Sequence, residues 1–487
     1  MSASNQHKWL VLAAVTVGLF LGAVDGSIVN IALPTLVHEF HTDFPTIQWV
    51  VLAFLLGLTT VMLGVGRLAD MIGKKQIFTW GLVLFTAASA LCGLSPTVWA
   101  LIAFRLLQSI GAAMIVALGV AIVTEVWPPE ERGQAIGTTG GVIALGIVVG
   151  PTLGGLLIGT LGWRAIFFVN LPFGLLALFL TLRFVPDLRP KRTAETFDWA
   201  GALVLGGGLL ALSLALTVGQ NLGFTDGRIL ALFAAAAVAL VAFVAIEKRS
   251  RAPMIDLTLF RDPQFGVNLF TGFLSFVAIA GVVFLIPFYL ELVLGLPVAQ
   301  VGLLMAIVPT VMAVLGPLSG VLSDKIGTRP VSVLGLIAIF IGYMATATLA
   351  VDTTPMGYVL RMLPVGIGMG IFQSPNNSAI MGAAPRERLG IASGMLSMTR
   401  TLGQTAGIAL LGAFFASRIH DYTGQPVDVV VAPPPALAFA LHDQFHLAAT
   451  LITLGLLVAL MAWRRERRVP AAPIVAERQM PVETLER

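Results

Sequence analysis

Gly66-Arg-Leu-Ala-Asp70-Met-Ile-Gly73-Lys74-Lys75 closes one long apolar segment, and Gly320-Val-Leu-Ser-Asp324-Lys-Ile-Gly327-Thr-Arg329 closes another, 254 positions later. Both read G-x-L-x-D-x-I-G-x-[KR], a glycine-tightened turn with one acid and trailing cations. Two further pairs keep nearly the same offset. Pro129-Glu-Glu131-Arg132 returns as Pro385-Arg-Glu387-Arg388, and Arg105-x-Leu107 returns as Arg361-x-Leu363, each 256 positions on. Chance can supply one such match. Three in register mean that two halves of the chain descend from one unit.

Composition says what kind of unit. Of 487 residues, 57% are hydrophobic and 11% charged, against roughly a quarter charged in soluble domains. Apolar stretches of about 20 residues, enough to cross a ~30 Å hydrocarbon core, recur along the whole chain. The chain therefore reads as an all-α integral membrane protein. Its spans fall near 9–33, 48–69, 77–94, 98–124, 135–160, 166–184, 200–219, 229–246, 265–292, 299–322, 331–350, 356–381, 392–417 and 445–463. Fourteen spans put both ends on one side. With the N-terminus in the cytoplasm, 23 of the 29 lysines and arginines fall in cytoplasmic loops or tails. Arg164, Arg228 and Arg418 lie outside, and Arg105, Arg361 and Arg400 within helices. That asymmetry places both termini inside. It also accounts for the net charge of +4 as topology rather than nucleic-acid binding. Single Cys92 excludes an intramolecular disulfide. The first span is too long for a signal peptide and carries Asp25 and Asn30, so it is read as retained.

The repeat orders these spans. Shifted by about 255, the first six land on those beginning near 265, which leaves 200–246 as an inserted pair. The expected organisation is a cytoplasmic start (1–8), a six-helix bundle (9–184), a linker with two additional spans (185–264), a second bundle (265–463) and a disordered cytoplasmic tail (464–487). Loop 418–444, with Pro433-Pro434-Pro435, either packs on the outer face or simply connects. Two similar membrane halves around a central site is the architecture of secondary transporters.

An ionisable side chain in hydrocarbon costs several kcal/mol and survives mainly where it faces a cavity or a partner. Asp25 lies about 13 Å from the outer end of its span and Arg105 about 10 Å from the outer end of its own, at 1.5 Å per residue. Burial favours a neutral carboxyl and a nearby guanidinium favours a charged one, so access to Arg105 would switch Asp25. The alternative is a static ion pair, which gains little over apolar packing. The two Gly-Asp turns, with Gly66, Asp70, Gly73 and Asp324, are either tight turns with cations or a gate in which Asp70 meets Arg132. Gly146, Gly150, Gly154 and Gly155 make a smooth face that permits close helix approach, and Pro151 should bend that helix.

With these motifs the chain resembles the major facilitator superfamily, and within it the fourteen-helix drug:proton antiporters. Asp25 to Pro34 is similar to that family's first-helix signature, and Gly66 to Lys75 to the loop motif after the second helix. Leu101-x-x-x-Arg105-x-x-Gln108-x-x-Gly111 resembles the proton-transfer motif, with Ser109 where glycine is usual. Gly146 to Gly155 is similar to the antiporter motif, and Trp163-Arg164-x-Ile-Phe-x-x-Asn170-x-Pro172-x-Gly174 to a signature of the fourteen-helix branch. The resemblance implies two six-helix bundles that alternate access, with export driven by inward proton flow through Asp25 and Arg105. It implies a protein of the cytoplasmic membrane that handles small amphiphilic compounds and protons amid lipid, works as a monomer, and needs no cofactor, metal or nucleic acid. It is not an enzyme: no H-E-x-x-H pair or P-loop occurs. Relatives that pump lipophilic cations often carry further acids in the second half, but spans ten to thirteen have none in their interiors. Glu291 is the nearest candidate, and Asn30, Gln108, Arg361, Gln373, Asn376, Asn377, Arg400 and Gln404 complete the candidate cavity. A dedicated exporter of one endogenous metabolite or lipid is the alternative.

Overall fold

The structure is a computed structural model that describes residues 3–128, 131–187, 198–249, 257–385, 389–425 and 427–468. The first half contains α1 (Ala3–Phe40), α2 (Phe44–Ile72), α3 (Lys74–Gly93), α4 (Val98–Val126), α5 (Arg132–Leu161), α6 (Ala165–Phe168) and α7 (Asn170–Phe184). The inserted pair is α8 (Trp199–Leu222) and α9 (Gly227–Arg249). The second half contains α10 (Pro263–Phe288), α11 (Val298–Met305), α12 (Ile307–Ile326), α13 (Thr328–Thr346), α14 (Pro355–Gly382), α15 (Leu389–Thr423) and α16 (Pro434–Arg468). A π-helical turn, Tyr289–Val293, extends α10. Among the described residues, fourteen segments are long and apolar enough to cross a membrane. The short α6 joins α7 in one of them, and α11 joins α12 in another.

Both repeat turns are built alike. Gly73 (φ 123°) and Gly327 (φ 93°) take a backbone conformation that a side chain would strain. Each N–H closes the preceding helix, Gly73 onto the Ala69 carbonyl and Gly327 onto that of Ser323, both at 2.8 Å. The next helix starts at the following residue. Elsewhere short polar side chains set helix starts: Asp43 Oδ1 accepts from the Thr46 N–H at 2.9 Å, and Thr354 Oγ1 from the Gly357 N–H at 3.1 Å.

In the first half α1 packs against α5, α7 and α4, and α2 and α3 both lean on α4; in the second, α10 packs against α15 and α16, and α14 against α13 and α12. The halves meet along two seams, α5 with α11 and α12, and α2 with α15. Helix α8 lies over the second seam and touches both α2 and α15. Trp49 Nε1 donates to Thr217 Oγ1 (3.2 Å) and Gln220 Nε2 to Gln48 Oε1 (3.4 Å), which fixes α8 to α2.

Several boundaries differ from the sequence reading. Helix α1 runs through Pro34 to Phe40 instead of stopping there, because packed neighbours can satisfy a backbone group freed by an interior proline. The expected loop 418–444 is mostly helical: α15 continues to Thr423 and α16 begins at Pro434. The short connection packs down, with Asp428 Oδ2 accepting from the Phe44 N–H at 3.0 Å and Val429 1% exposed. The expected disordered tail lies outside the described residues beyond Arg468, as do the linker residues 188–197 and 250–256.

Candidate functional site

Asp25 is completely buried between α1, α3, α4 and α7, and every side chain that reaches it is a donor. Arg105 donates from NH1 to Asp25 Oδ2 at 2.6 Å; Gln108 Nε2 and Asn170 Nδ2 each donate to Oδ1 at 2.9 Å. Arg105 is 1% exposed, and Gln108 and Asn170 are fully enclosed. The guanidinium is held on its other sides as well. Its Nε donates to the Val50 carbonyl (3.2 Å), NH1 also donates to Gln108 Oε1 (2.6 Å), and its carbon stands 4.1 Å from the centre of the Phe54 ring. Ser89 Oγ accepts from Gln108 Nε2 at 2.7 Å and donates to the Phe85 carbonyl at 2.8 Å. Three donors and no acceptor around the acid make a socket for a carboxylate; a protonated carboxyl would have nothing to receive its hydrogen.

The structure thus brings Asp25 and Arg105 together and moves Gln108 out of the candidate cavity, since its amide is spent on the acid, the guanidinium and Ser89. Sequence reasoning missed Ser89, and it placed Asn170 in a signature without giving it a role. Only the spacing of Asn170 from Trp163 flagged it; Ser89 is one small residue in an apolar span.

On α1 the neighbour of Asp25 faces the other way. Gly26 is exposed, with nothing within 4 Å of where its Cβ would stand, and Asn30 Nδ2 leans on the Gly26 carbonyl at 3.4 Å. The same openness appears at Gly137, Gly140 and Gly141 of α5 and Gly316 of α12. Gly140 and Gly316 line a cleft of about 520 Å³ with Gln373, Ser374 and Asn377 of α14. These residues lie in the part of their spans nearer the face at which α1 begins and α16 ends. At the opposite face the halves are shut. Phe44 of α2 meets Phe284 and Phe288 of α10 and Phe415 of α15, with ring centres 5.6, 5.2 and 6.1 Å away. A Cβ on Gly155 of α5 would stand 2.6 Å from the Val298 carbonyl and 3.1 Å from Gly302 Cα on α11.

The glycine face of α5 therefore does two jobs. Gly146, Gly150 and Gly154, flanking Pro151, press on α1: a Cβ on Gly150 would fall on Ser27 Oγ and 3.1 Å from the Val24 carbonyl. Of the four motif glycines, Gly155 is the one that reaches the second half, and Gly159 one turn on faces the same helix, with Val298 Cγ1 3.6 Å from where its Cβ would stand. The close approach at Gly150 is thus to α1, the helix that bears Asp25, and not to a helix of the second half.

The remaining candidates scatter. Arg361 is no cavity residue; its Nε donates to Thr348 Oγ1 (2.8 Å) and its NH1 to the Gly357 carbonyl (3.0 Å) near the opposite face. Asn376 is 2% exposed and accepts from Thr271 Oγ1 at 3.3 Å, so it fills the α10–α14 contact rather than the cavity. Arg400 and Gln404, one turn apart on α15, are half-buried and make no hydrogen bond or ion pair to a described residue. The Arg400 guanidinium carbon lies 5.5 Å from the Phe276 ring centre. Glu291 sits on the π-helical turn with Oε1 buried and unpartnered among the described residues.

At the terminal face, Lys74 pairs with Glu125 at 2.5 Å, and Lys8 pairs with Glu131. Arg132 Nε donates to the Trp127 carbonyl at 3.3 Å, and Asp324 is exposed with no ion pair to a described residue. The surroundings of Gly66 and the side chain of Asp70 are not among the described features of α2, and 129–130 and 386–388 of the second repeated pattern lie outside the described residues.

Comparison with known proteins agrees with this frame. The sequence profile of the Major Facilitator Superfamily matches residues 15–408. The riboflavin transporter RibZ of Clostridioides difficile (strain 630) is 32% identical over 467 residues, covering 94% of this chain and 98% of that protein. The multidrug resistance protein Stp of Mycobacterium tuberculosis (strain CDC 1551 / Oshkosh) is 35% identical over 417 residues, covering 85% and 77%. In fold, the chain is similar to a bacterial homolog of the human lysosomal transporter Spinster, in an inward-facing and unoccupied conformation, with a TM-score of 0.68 at 18% identity over 97% of this chain and 100% of the other.

Proposed function

The chain belongs to the Major Facilitator Superfamily, and from that premise we propose that it is a proton-coupled antiporter that exports small amphiphilic compounds across the cytoplasmic membrane. One observation carries this reading: the buried Asp25 carboxylate held by three donors, one of them a guanidinium. A buried pair of this kind adds little stability over apolar packing, so its worth lies in being broken and remade. The terminal face is taken as cytoplasmic, on the loop distribution of lysine and arginine. The conformation described above is then the inward-open one.

In this state Asp25 is sealed among its donors, while Gly26 beside it faces open space. Exchange to the outward-open state separates the phenylalanine cluster and Gly155 from their partners and lets outside water reach the acid. Protonation cancels the charge that holds Arg105. Return to the inward state delivers the proton to the cytoplasm and restores the pair. Substrate leaves outward on one half of that cycle and the proton enters on the other.

Asp25→Asn keeps the shape and removes the titration. The variant is expected to bind substrate yet fail to expel it against a gradient, read as dye retention in proteoliposomes with an imposed pH difference. Uphill export by Asp25→Asn would overturn the reading.

A second reading has its own support: a dedicated exporter of one metabolite with a planar, polar ring system. The chain is similar along nearly its full length to a protein named as a riboflavin transporter. Spans ten to thirteen lack interior acids, and the half-buried Arg400 without an acid partner suits electron-rich or anionic groups better than dications. Competition between riboflavin and a lipophilic cation such as ethidium for binding to the purified protein separates the two.

A further inference from the structure

Asn170 meets Asp25 with only half of its amide. Its Nδ2 donates to Asp25 Oδ1 and lies 3.4 Å from Ser89 Oγ, while its Oδ1 is buried with no hydrogen-bond partner among the described residues. An acceptor left in that condition carries the full penalty of a lost hydrogen bond, and native interiors seldom tolerate one without a reason. The other acceptors near the acid are engaged. Gln108 Oε1 takes the Arg105 NH1 hydrogen at 2.6 Å, and Ser89 Oγ receives from both amides. Asn170 Oδ1 is the idle one.

We propose that Asn170 is the proton-sensing partner of Asp25: when the acid takes up its proton, the Asn170 amide turns end over end and its carbonyl accepts the new Asp25 O–H. The proposal rests on the reading of Asp25 as the proton carrier. The two ends of an amide have nearly the same size, so the turn needs no new space. It exchanges a donor facing a carboxylate for an acceptor facing a carboxyl, which is the change that protonation demands. The bond formed is the O–H on Asp25, its proton comes from water on the open side, and it returns to water on release.

The location suits such a part. Asn170 is the first residue of α7, directly after the break at Val169 that separates α6 from α7. Across the α3–α7 crossing, Thr86 Oγ1 is likewise buried without a partner, and Gly174, one turn along α7, leaves it room. The titratable groups around the pocket are Asp25 from α1, Arg105 from α4 and Cys92 from α3, whose Sγ lies 3.9 Å from Gln108 Oε1. Among the described residues, α2 contributes the Val50 carbonyl and the Phe54 ring, neither of them titratable, and α7 the Asn170 amide.

Infrared difference spectroscopy of the purified protein on acidification tests this. The protonated acid should give a carboxylic C=O stretch that is missing in Asp25→Asn. Asn170→Leu keeps the volume but neither donates nor accepts, so that stretch should move to higher frequency. In protein carrying isotope-labelled asparagine and no substitution, the same acidification should lower one asparagine carbonyl frequency, and Asp25→Asn should abolish that shift. An Asp25 stretch that stays put in Asn170→Leu, or an unmoved asparagine carbonyl, removes Asn170 from the proton's path and leaves the antiport reading intact. If no Asp25 stretch arises at any pH the fold survives, the acid never takes a proton and both readings fall together.

Discussion

Arg105 and Arg361 occupy the same place in the repeat, 256 positions apart, and do different work. Arg105 is sealed inside its bundle and neutralises a buried acid; Arg361 is half-buried and ties two neutral oxygens near a loop. The second half has no acid to match Asp25. Its interior is filled by Tyr343, Tyr358 and Phe445, each at most 1% exposed, with Tyr343 stacked on Phe445 at 6.3 Å. Duplication kept the frame, down to the paired turn glycines, while among the described residues the fully buried ion pair is found in the first half. On the proposed function, such a protein binds its proton in one half and moves that half against the other.

The sharpest way to break that comparison is to remove each arginine. Arg105→Leu leaves the Asp25 carboxylate buried and unpaired, which costs about 3–5 kcal/mol; Arg361→Leu forfeits hydrogen bonds of about 1 kcal/mol. Melting of the detergent-solubilised variants should show a large drop for the first and a small one for the second. Equal drops would mean that the halves share the load after all.

Next in size is the contrast along α5. Gly155→Leu overpacks the contact with α11, at about 1–3 kcal/mol, enough to move a two-state balance roughly 5- to 150-fold. External labelling of a reporter cysteine near Phe44 should rise. Gly140→Leu enters open space and should leave that labelling unchanged. Cys92 is fully buried, so it does not compete for the reagent. A rise in both variants, or in neither, would contradict the shut and open ends assigned to the two glycines.

The smallest expected effect lies at the seam under α8. Thr217→Val removes the acceptor for Trp49 Nε1 and should cost about 0.5–1.5 kcal/mol, seen as a modest fall in melting temperature with the inserted pair still folded. No change would leave α8 attached by apolar contacts alone.

Legibility followed what a residue needs from its own neighbours in the chain. The turn at Gly73 and Gly327 was readable because a positive φ is a local demand. Asp25 and Arg105 were readable as a pair because depth along a helix follows from counting residues. Direction around a helix does not. Gln108 belongs to the interior of one bundle and Gln373 to the cleft between halves, yet in sequence both are polar residues in apolar spans. Arg361 misled for a related reason: the repeat carries a position forward, but only a partner makes it an ion-pair site. Beyond Phe415, helices α15 and α16 run on through His, Asp and Arg residues past the apolar stretch, so hydropathy counted that helical hairpin as a loop.

One seam between the halves is bare and the other carries α8. A helix seated on both α2 and α15 must keep hold of at least one of them as the halves rock, so the two edges of the cleft cannot part equally. Rocking of the halves is therefore expected to be unequal, freer at the α5–α12 edge than at the α2–α15 edge over which α8 lies. On the proposed function, a bulky compound would then have one broad side by which to enter, the edge that α8 leaves uncovered.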